Sequence, residues 1–110
     1  MAPSSPPSTA IPLPLDQLRA FCERWGLCQL AVFGSILRDD FRPDSDVDFL
    51  FVLKPNAGVG LLALARMESE LAQIVGRDVD LVSRHAIERS PNWIRRQNIL
   101  DSAVVLVDAA

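Results

Sequence analysis

Between Asp39 and Asp48, five of ten residues are aspartate, and the run leads directly into the apolar stretch FLFVL, Phe49 to Leu53. Carboxylates set this close together at the edge of a core repel one another, and burying any of them is costly without a neutralising partner. Whatever this chain folds into, it must hold those charges where something positive can meet them.

The flanking patterns predict how. "DVDFLFVL", Asp46 to Leu53, reads as a strand rich in aromatic and β-branched residues and ended by Lys54-Pro55-Asn56. Upstream, Leu15, Leu18, Phe21 and Trp25 recur at helical spacing, and Gly26 is placed to end that helix. "LCQLAVF" (Leu27 to Phe33) predicts a buried strand, followed by Gly34-Ser35, a short helical turn to about Asp40, and an Arg42-Pro43-Asp44 turn. Downstream, Leu64, Met67, Leu71 and Ile74 mark a helix stopped by Gly76, and "DVDLV" (Asp78 to Val82) a third strand. Ser90-Pro91 supplies an N-cap and N1 proline for a helix through about Leu100, and "AVVLV" (Ala103 to Val107) a fourth strand. The expected fold class is α/β (α+β): a small mixed sheet of about four strands packed with helices.

Domain organisation follows from composition. Residues 1–14 hold five of the eight prolines and four serines and threonines, so they are expected to form a disordered tail before a single domain at 15–108. No apolar stretch is long enough for a bilayer, and no basic residue precedes Arg19 as a signal peptide would need, so a cytoplasmic location is expected. Cys22 and Cys28 fit no zinc or redox spacing and read as two reduced thiols. The net charge of −3 offers no global attraction to nucleic acid. Arg77, Arg84, Arg89, Arg95 and Arg96 crowd the last third, where a solvated charged face is the expectation.

The aspartates themselves carry chemistry. Residues two apart in a strand share a face, so Asp46 and Asp48 project together, roughly 6–7 Å apart. A hard divalent cation relieves their repulsion, and Mg²⁺ takes one or two carboxylates plus phosphate oxygens. Asp80, in a strand that can lie beside the first, supplies a third carboxylate; three from two strands can hold two Mg²⁺ ions for an in-line nucleotidyl displacement. Gly34 at a strand-to-turn junction lets backbone N–H groups approach a phosphate, Ser35 can donate its hydroxyl, and Arg38 can reach a phosphate oxygen. Asp-x-Asp alone also fits a loop or an exposed strand edge. Asp39, Asp40 and Asp44 are assigned to solvent and turns, His85 to the surface, and Trp25 and Trp93 to the core.

Gly34-Ser35, ten residues, then Asp46-Val47-Asp48 is the spacing of the minimal nucleotidyltransferases (MNT domains) of the DNA polymerase β superfamily, and "FGSILRDDFRPDSDVDFLFVL" resembles them closely. The segment around Asp80 resembles that family's third-carboxylate strand. One departure is Asp39, where the family commonly has glycine after the arginine. The resemblance implies a polymerase β-like fold and Mg²⁺-dependent transfer of AMP from ATP to a hydroxyl. It implies Asp46, Asp48 and Asp80 as catalytic metal ligands and Gly34, Ser35 and Arg38 on the nucleotide. It further implies an antitoxin that neutralises a HEPN-domain toxin by adenylylating it, in characterised cases on a tyrosine. This chain has no tyrosine, so such an acceptor belongs to another chain. Two alternatives stand beside this reading: an antitoxin that inhibits by binding alone, and a small-molecule transferase of the aminoglycoside type. The second usually carries a further substrate-holding domain, for which this length leaves no residues.

Overall fold

The computed structural model describes residues 12–38, 41–55 and 57–108. Most of the expected tail, residues 1–11, lies outside these, as do Asp39 and Asp40. Helix α1 (Leu15–Trp25) buries Leu18, Phe21 and Cys22, the stripe its spacing predicts, and ends where Gly26 turns left-handed at φ 71°. Strand β1 (Leu27–Phe33) follows, then a 3-10 turn at Gly34–Leu37. Strand β2 (Val47–Leu53), helix α2 (Leu61–Val75) and strand β3 (Val79–Ser83) come next. Helices α3 (Arg84–Glu88) and α4 (Trp93–Ser102) and strand β4 (Val104–Asp108) complete the order.

The four strands form one mixed sheet in the order β3-β2-β1-β4. β1 pairs antiparallel with both β2 and β4, whereas β2 and β3 are parallel. A parallel pair needs a crossover connection, and α2 provides it. Val47, Phe49 and Phe51 face the larger core, with Leu18, Phe21, Met67 and Leu71 of α1 and α2. Leu50 faces the other way, packing with Ala31, Phe33, Ile87 and Ile99 under α3 and α4. The alternation read from β2 therefore decides which layer each side chain enters.

Five points are corrected. The turn after Gly34-Ser35 ends at Leu37, and Arg38 is extended at φ −119°, ψ 164° rather than one turn into a helix. β2 starts at Val47, so Asp46 stands just before the strand. α3 was not anticipated; its five residues are too few to show periodicity, though Ser83 caps it by accepting from the Ala86 N–H at 3.4 Å. For α4 the cap is Asn92, whose Oδ1 accepts from the Arg95 N–H at 3.1 Å, while Ser90 Oγ bonds the Asn92 N–H in the preceding turn. Ile99 lies on the buried side of α4, and Trp93, six residues earlier and so about 120° around the helix from it, is 64% exposed, not core. Trp25 does pack on the core, its indole N–H donating to Glu70 at 2.6 Å.

Asn92→Ala should cost about 1 kcal/mol, the usual worth of a side-chain N-cap. A urea unfolding midpoint would show it, and an unchanged midpoint would mean that Ser90 can take over the cap. Both cysteines are free, and burial pushes the Cys22 thiol up to about 11. No helix among the described residues is long and apolar enough to cross a membrane.

Candidate active site

Three chain segments meet where β1 ends and β2 and β3 begin. Phe33, the last residue of β1, is the in-register partner of Asp48. Asp48 is in turn the parallel-register partner of Asp80. The two carboxylates thus stand side by side on neighbouring strands, which lie about 4.8 Å apart. They point to the face opposite Phe49 and Leu81, which are held in the larger core.

Gly34 closes this arrangement from β1. Its φ of 79° favours glycine, and a Cβ placed there would collide with Oδ2 of Asp48. The missing side chain is what lets the backbone of the Gly34–Leu37 turn come up against the carboxylate. Ile36, fully buried, anchors that turn in the core, and Ser35 accepts the Arg38 N–H at 2.9 Å through its carbonyl.

Asp46 is fixed from the other side. The Arg42–Ser45 turn is closed by Ser45 N–H to the Arg42 carbonyl at 3.0 Å and by Arg42 N–H to Ser45 Oγ at 2.9 Å. Arg77 clamps it, donating to the carbonyls of Arg42 and Ser45 at 3.2 and 3.3 Å while its guanidinium lies over the Phe41 ring. The Val47 N–H donates to the Asp78 carbonyl at 3.1 Å, which sets the β2–β3 register.

The electrostatics follow from this packing. Burial pushes the half-buried Asp48 carboxyl up from its ordinary value, and the charges of Asp80 and then Asp46 push it further; Arg38 and Arg95 pull it back. Asp46 and Asp80 are exposed. Of the predicted site residues, Asp46, Asp48, Asp80, Gly34, Ser35 and Arg38 all gather here. Asp44 lies in the turn, and the exposed His85 lies 3.5 Å from Glu88 in α3. Asp39, the departure from the family pattern, falls outside the described residues.

Sequence reasoning missed two arginines. Arg77 has a structural duty at the turn, and Arg95 brings a positive charge to Asp48 from α4.

Among the described residues, no three acidic, histidine or cysteine side chains converge into a ready-made metal cage. Mg²⁺ does not require one, since it takes one or two carboxylates and fills its shell with phosphate oxygens and water. The in-register Asp48–Asp80 pair, all-oxygen and mutually repulsive, fits that demand.

Residues 16–106 match the nucleotidyltransferase domain family. The chain belongs to this family. Among relatives of this nucleotidyltransferase is the protein adenylyltransferase MntA of Thermococcus cleftensis, 35% identical over 66 residues, which are 60% of this chain and 65% of that one. A toxin–antitoxin structure with AMP-PNP shares the fold at a TM-score of 0.67, 20% identical, covering 87% of this chain and 74% of that one. So does a complex of a tri-AMPylated Shewanella oneidensis HEPN toxin with its MNT antitoxin, at 0.59 and 20% identity, covering 86% and 69%.

Proposed function

We propose that this nucleotidyltransferase moves AMP from ATP onto a hydroxyl of a HEPN-domain toxin and so serves as that protein's antitoxin. The observation that carries the reading is the in-register Asp48–Asp80 pair facing the Gly34-Ser35 turn. The named activity of the Thermococcus relative and the AMPylated toxin bound to a structural neighbour support AMP as the transferred group and a protein as its acceptor. A tyrosine is the proposed acceptor, and it lies on the partner because this chain has none.

Asp46, Asp48 and Asp80 are the residues that would hold Mg²⁺, two ions in this reading. Bound there, the metal supplies Lewis-acid stabilisation of phosphoryl charge. Ser35 and the backbone N–H groups of the turn orient the β- and γ-phosphates. The acceptor oxygen forms its bond to the α-phosphorus as the bond to the β-phosphate oxygen breaks, and pyrophosphate leaves with that electron pair. Asp80, exposed at the edge of the site, takes or orients the acceptor's proton.

The test is the intact mass of the protein encoded beside this one, after co-expression with wild type or with Asp48→Asn. A gain of one or more AMP units with wild type only is the expected result. No gain with either, the two chains still co-purifying, would replace the enzyme by an antitoxin that inhibits through binding alone.

A further inference from the structure

Asp48 and Asp80 are placed by the sheet, since each stands in a strand ladder. Asp46 precedes β2 and has no ladder of its own. Its main chain is an α-carbon between two planar peptide units, so its position is set by what holds those planes. One pair of residues holds both. The carbonyl of the Ser45–Asp46 peptide accepts from Arg77 Nη1 at 3.3 Å. The N–H of the Asp46–Val47 peptide donates to the Asp78 carbonyl at 3.1 Å.

Arg77 and Asp78 lead directly into β3, which carries Asp80. From there the Arg77 side chain reaches back to the turn, where the same Nη1 also bonds the Arg42 carbonyl at 3.2 Å. Its guanidinium carbon lies 4.6 Å from the centre of the Phe41 ring, a contact that keeps the half-buried side chain over the turn. A single side chain thus ties the approach to Asp46 to the strand of Asp80.

The guanidinium forms no ion pair with a carboxylate among the described residues; its bonds go to main-chain carbonyls. Charge and positioning therefore predict opposite signs at a cation site. Removing a nearby positive charge would by Coulomb's law tighten the binding of a cation. Removing the clamp frees Asp46 and weakens it.

We propose that Arg77 is a positioning residue: it fixes Asp46 relative to Asp80 and so sets the affinity of these carboxylates for a divalent cation. The inference rests on the reading of Asp46 as a metal ligand.

The test is titration of the full chain with Mn²⁺ alone, free metal being read by electron paramagnetic resonance. Arg77→Met should weaken binding at least about tenfold, the scale of losing a group that orients a metal ligand. Arg77→Lys should recover much of the loss, since one nitrogen makes both bonds and an ammonium carries three donors. When residue 46 is already alanine, Arg77→Met should cost little further affinity, because Arg77 acts through Asp46. A merely structural role would instead give the same loss in both backgrounds, and that result overturns the assignment. Unchanged or tighter binding by Arg77→Met overturns it as well. Should the methionine variant not fold, Phe41→Leu removes only the ring under the guanidinium, and the same cycle with Asp46→Ala should show the same dependence. If Asp46→Ala alone leaves Mn²⁺ affinity at the wild-type value, Asp46 is no ligand and the reading beneath the inference fails first. A wild type that binds no Mn²⁺ removes both.

Discussion

Asp48→Asn should lower AMP transfer at least about a hundredfold, the scale of losing one electrostatic contact to developing transition-state charge, while making the metal-free protein more stable. The two effects share a cause. In the absence of a cation, the Asp48 carboxyl is pushed above its ordinary value by burial and by Asp80 and Asp46. The native state then binds that proton more tightly than the unfolded chain, so stability falls as pH rises from the ordinary carboxylate value through the raised one. Below the ordinary value both states are protonated and the penalty is absent; above the raised value it is complete. Asparagine keeps the shape and carries no charge to penalise. In chelator at neutral pH its melting temperature should exceed wild type by up to a few degrees, and the gap should close as pH drops toward the ordinary carboxylate range. Transfer by the variant at near wild-type rate would end the metal-carboxylate reading. Toxin neutralisation by a variant that transfers nothing would instead identify inhibition by binding.

What the sequence disclosed of this site was its local part. Alternation in "DVDFLFVL" separates Asp48 and Leu50 from Val47, Phe49 and Phe51, and the structure keeps that division across its two cores. Gly26 and Gly76 end their helices in the left-handed conformation their positions predict. Register is a different kind of fact. That Asp80 stands opposite Asp48, rather than Asp78, depends on how α2 returns the chain and on the Val47–Asp78 hydrogen bond, neither of which leaves a periodic trace. The start of α4 was misplaced because Ser90 and Asn92 are both good caps, and propensity does not choose between them. Trp93 was misassigned for another reason: Ile99 is the residue of α4 that the core buries, and Trp93 lies about 120° around the helix from it.

Gly34→Ala should damage the site more than the fold. At φ 79° an alanine costs about 1–2 kcal/mol against glycine from backbone sterics alone. Its Cβ would also collide with Oδ2 of Asp48. The carboxylate belongs to a strand held on both sides, by β1 through Phe33 and by β3 through Asp80, so its backbone has little room to yield. Either the Asp48 side chain swings off its position or the Gly34–Leu37 turn lifts, and Ile36, buried beneath that turn, opposes the lift. A displacement near 1 Å suffices to lower transfer about a hundredfold, even at temperatures where the variant remains folded. Urea unfolding read beside AMP transfer separates the two costs. The collision itself is tested by a double-mutant cycle with Asp48→Ala, which removes the group that Cβ meets. If the steric account is right, Gly34→Ala costs clearly less stability when Asp48 is already alanine, leaving only the backbone part. Equal costs in both backgrounds would place the whole effect in the left-handed backbone and none of it in the contact with the carboxylate.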